Sequence, residues 1–367
     1  MKFSGRIEEI DISGIRKSFE AAGIDSINLG LGQPDFDTPP HIKEAAVQAI
    51  NEGFTGYTGN LGILELRSAI RDKFRRDNQL GYSPEEIMVT SGASEALFLA
   101  ISAVVEDGCE VLIGDPSFVS YWALTKIAGG RPVGVPLNEE LNFDSDVVAD
   151  KITKDTRAII LNSPNNPTGS VQSREEIHAL ADLASDHDIA LISDEVYEHL
   201  IYKGEHISPA MYSDNVITIN AVSKTYAMTG WRLGYLGARG EALENMLKVH
   251  QYVQACACSI SQKAALAAIS GPQDCVFQMR DEFRRRRDIL VEGLEELGVE
   301  LVRPSGAFYV FPKVGDAASV VASLMKRGVV TVPGSAFGPN GRDHIRISYA
   351  ASMEKIVEAL ERMKAIL

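Results

Sequence analysis

Two cations lie eight positions apart in the segment NAVSKTYAMTGWRLGY, which spans residues 220–235. The first, Lys224, follows an apolar run with the pattern of a buried strand, and the second, Arg232, lies beside a tryptophan and two glycines. Burial lowers the pKa of an amine because it disfavours the charged form, and a neutral amine can attack a carbonyl carbon to form an imine. A lone lysine is usually solvated, so this interpretation depends on which other groups the fold brings to Lys224.

A possible phosphate site lies in the segment TSGAS, residues 90–94, which follows one apolar run and precedes a helical pattern. A glycine turn there would present free backbone N–H groups at a helix N-terminus, which is a favourable environment for a phosphate. The same residues could equally form a capped loop between a strand and a helix, with Ser94 as the N-cap. Taken alone, the segment leaves both interpretations open.

Two other segments place polar groups directly after apolar runs. In NSPNNPTG, residues 162–169, two prolines restrict the backbone and would hold the amide of Asn166 at a fixed angle, although Asn-Pro is also a turn signal. In SDEVY, residues 193–197, Asp194 and Glu195 are adjacent. We expect that the two carboxylates are not both in the core, and that one of them faces a cation or a protonated ring.

These segments are predicted to meet because each follows a strand of one sheet. Short apolar runs alternate with helical patterns, which indicates βαβ units and a mostly parallel sheet, and such sheets bind ligands beyond the carboxyl ends of their strands. Strands are predicted at Glu86–Thr90, Glu110–Gly114, Arg157–Asn162, Ile189–Ser193 and Asn215–Asn220, and helices at Ser94–Val105 and Ser173–His187. One ligand would suit all four segments: pyridoxal phosphate carries a phosphate, an aldehyde and a ring nitrogen that can be protonated.

Length and composition exclude several classes of function. The chain has 367 residues, enough for two domains, and a formal net charge of -14, which disfavours nucleic-acid or anionic-membrane partners. No run approaches the ~18–20 apolar residues that cross a bilayer. The four cysteines lack metal or redox spacing, so we predict buried free thiols, no metal and a reducing cytoplasm. The arginine run at 284–287 is predicted to be a solvated helix face.

A change of composition after residue 240 indicates a second domain. We predict a large α/β domain over residues 46–274 and a small α+β domain formed by residues 1–45 and 275–367. The small domain is expected to contain short strands near Leu301, Phe308 and Ile345.

Several motifs follow the order found in the class I pyridoxal-phosphate aminotransferases, and the chain most closely resembles their aspartate-aminotransferase-like bacterial and archaeal branch. The motifs are GQPDFDTP (32–39), YTGNLGILELR (57–67), NSPNNPTG (162–169), SDEVYEHL (193–200), SKTYAMTGWRLGY (223–235), RPSGAFYVF (303–311) and RISYA (346–350). The resemblance covers essentially the whole chain. It implies a seven-stranded, mostly parallel sheet with flanking helices, a smaller α+β domain, and a homodimer with active sites shared across the interface.

The resemblance also implies roles for individual residues. Lys224 would form a Schiff base with the cofactor and move the proton between the substrate α-carbon and the cofactor. Asp194 would pair with the pyridinium nitrogen, while Tyr197 and Asn166 would bind the phenolic oxygen of the ring. The other residues implied to bind the cofactor are Gly92, Ala93, Ser94, Phe118, Ser223, Arg232 and, from the other subunit, Tyr57. Arg346 would bind the substrate carboxylate, with Asn166 and the Gly32 backbone.

The implied activity is a ping-pong transfer of an amino group from an L-amino acid, such as aspartate or an aromatic amino acid, to a 2-oxo acid such as 2-oxoglutarate. Two positions depart from the pattern. Ala221 stands where relatives often have a serine that contacts the phosphate, and Ser94 stands where some have a lysine, which weakens the case for aspartate. The alternatives are a cysteine–sulfur β-lyase on the same fold and a non-catalytic regulator that senses the cofactor.

Overall fold

The computed structural model describes residues 1–10, 14, 23 and 25–367. Part of the 1–45 segment that was predicted to join the small domain, at residues 11–13, 15–22 and 24, lies outside the described residues. Within the described part of the chain, no helix is long and apolar enough to cross a membrane.

A seven-stranded sheet forms the centre of the fold. The strands of all the sheets in the described part of the chain, in chain order, are β1 (Ile27–Asn28), β2 (Ile87–Thr90), β3 (Glu110–Asp115), β4 (Arg131–Pro136), β5 (Thr156–Asn162), β6 (Ala190–Asp194), β7 (Val216–Ala221), β8 (Gly234–Gly237), β9 (Tyr309–Val310), β10 (Val329–Val330), β11 (Val332–Pro333) and β12 (Ile345–Ser348). The central sheet has the order β2-β8-β7-β6-β5-β3-β4, and β8 runs antiparallel to both of its neighbours. The predicted α/β fold and the five predicted strands are confirmed.

Helices pack against the central sheet and against the small sheets of the C-terminal part of the chain. They are α1 (Gly5–Glu8), α2 (Pro40–Asn51), α3 (Leu64–Asp77), α4 (Ala93–Val104), α5 (Val119–Ile127), α6 (Ser145–Lys151), α7 (Arg174–Asp186), α8 (Val222–Thr225), α9 (Glu241–Val253), α10 (Ser259–Ser270), α11 (Asp274–Glu296), α12 (Ala317–Lys326) and α13 (Met353–Met363). The strands β2, β3 and β7 are buried along their whole length, which explains why they appear in the sequence as largely apolar runs, whereas the edge strand β4 is only partly buried.

The ends of two helices test the capping predictions. Ser173 caps α7 as predicted, since its side chain accepts a hydrogen bond from the backbone N–H of Glu176. Ser94, by contrast, is not the N-cap of α4. That helix begins one residue earlier, with Gly92 at the N-cap position in a φ of +83°, a conformation that side chains rarely adopt.

The strand register brings the polar segments to one edge of the sheet. Asn162, the last residue of β5, pairs with Asp194, the last residue of β6, and Asp194 in turn pairs with Ile219 of β7. Because these three strands are parallel, the residues that follow them leave the sheet on the same side. The cluster of functional candidates therefore depends on sheet topology more than on any single motif.

The C-terminal part of the chain forms two small sheets, β11-β12-β9 and β1-β10. Their buried residues join those of α11 and α13 in one hydrophobic cluster. The strand predicted near Leu301 is wrong, because only an isolated bridge between Glu300 and Lys313 occurs there. The division into domains at residues 46–274 stays a prediction.

Two predictions about charged and thiol side chains are also corrected. Arg286 and Arg287 are 5% and 9% exposed, so half of the arginine run is buried and not solvated. Both contact aromatic rings, Arg286 that of Phe36 and Arg287 that of Tyr202, which shows how a long aliphatic stem can be covered while the cation keeps partners. All four cysteines are free, but only Cys109 is buried.

Candidate active site

A cavity of about 250 Å³ opens at the carboxyl edge of the sheet. The predicted site residues that line it are Gly32, Ala93, Ser94, Phe118, Asn166, Asp194, Tyr197, Ser223, Lys224, Arg232 and Arg346. These residues come from segments as distant in sequence as the first forty and the last thirty residues. A concave site with convergent polar groups of both signs is the usual form of a small-molecule binding site.

Two predicted residues do not line this cavity. Gly92 is close to it, since a Cβ atom there would come within 2.8 Å of the Arg232 guanidinium, and its φ of +83° is a conformation that favours glycine. Tyr57 lies outside the cavity, and its side chain is 92% exposed. The role of Tyr57 across a subunit interface stays a prediction.

Lys224 enters the cavity from α8, a single turn that follows β7 directly. Its Nζ is 2.7 Å from the carbonyl oxygen of Gly32, to which it donates a hydrogen bond. Burial lowers the pKa of Lys224 to about 8, and the positive charges of Arg346 and Arg232 act in the same direction. A lysine whose pKa lies this close to physiological pH has a much larger neutral fraction than an ordinary lysine, so it is suited to attack an electrophilic carbon and then to exchange protons.

Asp194 lies at the opposite wall of the cavity, at the end of β6, and is 3% exposed. Its hydrogen bonds come from neutral donors: the Tyr121 hydroxyl, with Oη 2.7 Å from Oδ2, and the backbone N–H of Val196. Burial raises the pKa of Asp194 to about 6, because no ammonium or guanidinium in the described residues forms a salt bridge with it. A cationic ring nitrogen in the cavity would supply that missing partner.

Arg346, on β12, forms a cationic wall of the cavity although it is only 1% exposed. Its Nη1 donates to Asn166 Oδ1 at 2.9 Å and its Nη2 to the Gly30 carbonyl oxygen at 2.6 Å, while its Nε has no partner. The guanidinium also lies over the rings of Tyr309 and Phe337, at 4.6 and 4.8 Å from the centroids. A buried arginine without a carboxylate partner in the described part of the chain is suited to bind a carboxylate ligand.

An anion could be held at the end of the cavity near α4. Ala93 and Ser94 begin this twelve-residue helix, whose first backbone N–H groups have no partner within the helix. The exposed Arg232 approaches the same turn from the other side, with its own backbone at a φ of +51°. Gly234 packs so tightly on this turn that a Cβ there would lie 2.5 Å from the Ala93 nitrogen. The arrangement is suited to a phosphate group.

Four polar side chains of the cavity have no role in the sequence-based prediction: Tyr121, Thr229, Tyr309 and Asn162. Asn162 joins two strand ends, because its Nδ2 donates to the Asp194 carbonyl and its Oδ1 accepts from the Asn166 N–H, both at 2.8 Å. The sequence did contain one indication of Tyr121. It lies three residues after Phe118 at the start of α5, so the two side chains are expected on the same side of the helix.

Asp194 and Glu195 are both buried, and the prediction that they would not be is wrong. Glu195 is 0% exposed and faces away from the cavity. There it accepts hydrogen bonds from Ser193 Oγ at 2.9 Å and Ser208 Oγ at 2.6 Å, and its Oε2 lies 2.9 Å from His206 Nε2. The adjacent carboxylates lie on opposite sides of the chain, so each has its own environment.

The chain is similar to known aminotransferases over nearly its whole length. A family model for aminotransferase class I and II matches residues 24–363. A probable aspartate aminotransferase of Methanocaldococcus jannaschii is 48% identical, with 99% of each chain covered. Aromatic-amino-acid aminotransferase 2 of Thermococcus litoralis is 43% identical, covering 100% of this chain and 98% of that one. The structure of Thermus thermophilus aspartate aminotransferase with maleate matches with a TM-score of 0.95 at 40% identity, covering 100% of both chains.

These matches extend over nearly the whole chain and agree with its α/β fold. Class I aminotransferases of this fold use pyridoxal phosphate and transfer nitrogenous groups. The chain belongs to the class I and II aminotransferase family, in the branch of the archaeal and bacterial aspartate aminotransferases.

Proposed function

We propose that the protein is a pyridoxal-phosphate-dependent aminotransferase that moves an amino group from an L-amino acid to a 2-oxo acid such as 2-oxoglutarate. The observation that carries this proposal is the position of Lys224. Its amine, with a pKa lowered to about 8, shares one cavity with a buried carboxylate and with an arginine that has no anionic partner among the residues that the structure describes. The amine would react with the cofactor and transfer protons, the carboxylate would pair with the ring nitrogen, and the arginine would bind the substrate carboxylate, so one cavity holds all three groups that the reaction needs.

The cavity contains groups suited to both the phosphate and the ring of the cofactor. The start of α4, together with Ser223 and Arg232, would hold the phosphate, and Asp194 would hold a protonated ring nitrogen. Phe118 would cover one face of the ring, and Tyr197 and Asn166 would bind its phenolic oxygen. When bound, pyridoxal phosphate supplies an electrophilic carbon for amines and a ring that withdraws electrons from the substrate α-carbon.

The residues around the cofactor would divide the remaining work. Arg346 has five N–H donors and uses two of them on Asn166 Oδ1 and the Gly30 carbonyl oxygen. The remaining donors would bind the substrate carboxylate, which fixes the α-carbon relative to Lys224. Lys224 Nζ would take the proton from that carbon and deliver a proton to the cofactor from the same side, because one amine reaches only one face of the reacting plane. The net reaction converts one amino acid and one 2-oxo acid into the corresponding 2-oxo acid and amino acid.

We also propose a ping-pong order, because one carboxylate site at Arg346 would serve both the amino acid and the 2-oxo acid. The donor is proposed to be aspartate, an aromatic amino acid or a similar L-amino acid. Relatives named for aspartate and for aromatic amino acids have almost equal identity to this chain, 44% and 43%. Ser94 in the cavity cannot supply a cation for a second carboxylate.

A homodimer is proposed as the working form, with Tyr57 reaching the phosphate in the other subunit. Exposed large side chains near this residue support the proposal, because soluble proteins rarely leave such groups in water: Tyr57 is 92%, Tyr252 87% and Leu64 54% exposed.

A cytoplasmic location is proposed from the four free cysteines, since reducing compartments keep thiols free.

The test is to replace Lys224 with alanine and to compare it with Lys248→Ala, which removes an exposed lysine of α9. We expect Lys224→Ala to lose the near-ultraviolet or visible absorbance of the covalent cofactor and to lose amino transfer, while Lys248→Ala keeps both. Amino transfer by Lys224→Ala at the wild-type rate would contradict the proposal. Release of ammonia and pyruvate from cysteine without a 2-oxo acid would instead support a β-lyase.

A further inference from the structure

Tyr309 is a buried residue of β9 that touches three functional groups of the cavity. It is 1% exposed, and its hydroxyl oxygen lies 2.9 Å from that of Tyr197. Its ring lies under the guanidinium of Arg346, 4.6 Å from ring centroid to Cζ. Its hydroxyl also lies against Gly32, where a Cβ atom would come within 2.1 Å of it.

The two tyrosine hydroxyls form a closed pair in the described structure. Each makes one hydrogen bond, and that bond is to the other. A phenol has a single hydrogen to donate, so only one of the two can donate in the shared bond. The other hydrogen is free to point into the cavity.

We propose that Tyr309 is a positioning residue that donates its hydroxyl hydrogen to Tyr197 and so leaves the Tyr197 hydrogen for the phenolic oxygen of the cofactor. This inference rests on the proposed function, because it needs pyridoxal phosphate in the cavity. Tyr197 would then accept from one partner and donate to another, and such a chain polarises each of its bonds.

The charges around the two tyrosines also favour Tyr309 as the donor of the shared hydrogen bond. Burial raises the pKa of both hydroxyls, that of Tyr197 well above its ordinary value. The positive charge of Arg346 opposes that rise at both hydroxyls, and it lies directly over the Tyr309 ring, where the pKa is raised less. The more acidic of two phenols is the better hydrogen-bond donor, so Tyr309 is the more favourable donor of the pair.

The position of Tyr309 relative to Gly32 adds a geometric argument. Gly32 presents its backbone to the hydroxyl, and its carbonyl oxygen accepts from Lys224 Nζ at 2.7 Å. The hydroxyl thus lies between Gly32 and Tyr197, and Tyr197 is its one hydrogen-bond partner among the described residues. Removal of this one oxygen atom should act on the cofactor through Tyr197 alone.

The variant that isolates the hydroxyl is Tyr309→Phe, which keeps the ring under Arg346. The measurement is the absorbance of the holoenzyme as a function of pH, which reports the pKa of the nitrogen that joins Lys224 to the cofactor. We expect this pKa to rise by about half a unit, a roughly threefold gain in proton affinity. A weaker donor at Tyr197 leaves more negative charge on the phenolic oxygen, and that charge holds the proton on the neighbouring nitrogen.

Two further variants separate positioning from a general effect of losing a buried hydroxyl. Tyr202→Phe is the matched control, because its hydroxyl donates to the backbone of Ala307 and does not line the cavity. We expect it to leave the titration unchanged. Tyr197→Phe should raise the pKa more than Tyr309→Phe, and the double variant should equal Tyr197→Phe alone, because Tyr309 acts through Tyr197.

The outcomes distinguish the two proposals. If the wild-type protein has no absorbance band that titrates, the proposed function fails. If the wild type titrates but Tyr309→Phe has the same pKa, or if its shift persists when Tyr197 is already phenylalanine, the inference about Tyr309 is overturned.

Discussion

Two groups of buried charges lie on opposite sides of the segment 194–198. The cavity group consists of Lys224, Asp194 and Arg346, and the supporting network consists of Lys73, Asn78, Glu195, Glu198, His206 and Asn220. In the network, Glu198 accepts hydrogen bonds from Lys73, from Asn78 at 2.6 Å and from Asn220 at 2.7 Å. In the cavity, no pair of opposite charges is in contact among the described residues.

The pKa values of the two groups differ accordingly. Burial would raise the pKa of Glu198, but Lys73 and two histidines lower it to about 2, and Glu195 raises the pKa of His206 against the effect of burial. In the cavity, burial prevails, so the pKa of Asp194 rises to about 6 and that of Lys224 falls to about 8. The network is complete as the chain folds, whereas the cavity group lacks the charges that a bound ligand would bring.

The largest expected effect is on stability, at the network. Glu198→Gln leaves the buried ammonium of Lys73 without a counter-charge, and we expect the free energy of unfolding to fall by about 3–5 kcal/mol at neutral pH. The folded-state pKa of Glu198 is lowered, so its contribution is present above about pH 4.5 and is lost as the pH falls toward 2. Denaturant unfolding at pH 7 and pH 3 would measure the difference.

A matched double variant tests the reason for that loss. Adding Lys73→Met to Glu198→Gln removes the uncompensated charge, so part of the stability should return. A double variant less stable than Glu198→Gln would show that Lys73 contributes through its packing and not through its charge.

The second-largest effect is expected in the cavity, where removal of a buried charge should lower activity but raise the stability of the cofactor-free protein. Asp194→Asn should reduce kcat by about 100- to 1,000-fold, because the cofactor ring loses its anionic partner.

The folded-state pKa of Asp194 is raised, so its burial destabilises the cofactor-free protein above about pH 6. We therefore expect cofactor-free Asp194→Asn to be more stable than wild type at pH 7.5, by about 1–3 kcal/mol. This gain should vanish near pH 4, and thermal unfolding at both pH values would reveal it.

A third effect concerns the reactivity of Lys224 in the cofactor-free protein. Since its pKa is lowered to about 8, the rate of covalent capture of pyridoxal phosphate should rise with pH and reach half its maximum near pH 8. At that pH an ordinary lysine would be about a hundredfold less reactive. Borohydride trapping at a series of pH values measures the rate. Arg346→Met should move the midpoint upward, and a wild-type midpoint near 10.5 would contradict the assignment.

The smallest effect is expected at Tyr121, whose hydroxyl holds the pKa of Asp194 below the value that burial alone would produce. Tyr121→Phe should raise this pKa further and shift the acid limb of the pH–activity profile upward by about half a unit, with roughly a threefold loss of activity at pH 6. Activity at pH 8 should change little. An equal loss at both pH values would indicate a packing defect.

The parts of the site that could be predicted from the sequence are those at strand ends. Asp194 and Lys224 each follow an apolar run, so sheet topology alone places them together. Tyr121 and Tyr309 could not be found in this way, because each acts through one hydroxyl whose partner is about 70 residues or more away in sequence. Only the packing of α5 and β9 against the sheet brings those pairs into contact.

The wrong predictions have a common physical cause. One of the adjacent carboxylates Asp194 and Glu195 was expected outside the core, and Arg286 was expected in solvent, because a charged side chain is costly to bury. In the structure each has specific partners from other segments: Glu195 has His206 and two serines, and Arg286 has Asp35, with Nη1 2.6 Å from Oδ1. Pairing of this kind depends on the tertiary structure, and a single sequence does not reveal it.

The antiparallel strand β8 has a consequence for the size of ligand that the protein can accept. The pairing of Ala221 with Gly234 fixes both ends of the connection that carries Lys224 and Arg232. The distance between the lysine amine and the arginine guanidinium is therefore set by the length of that connection and not by the movement of one domain against another. An insertion or deletion of one residue here should be tolerated far less than in other surface loops. Aldehyde analogues with a longer arm to the phosphate should likewise be excluded.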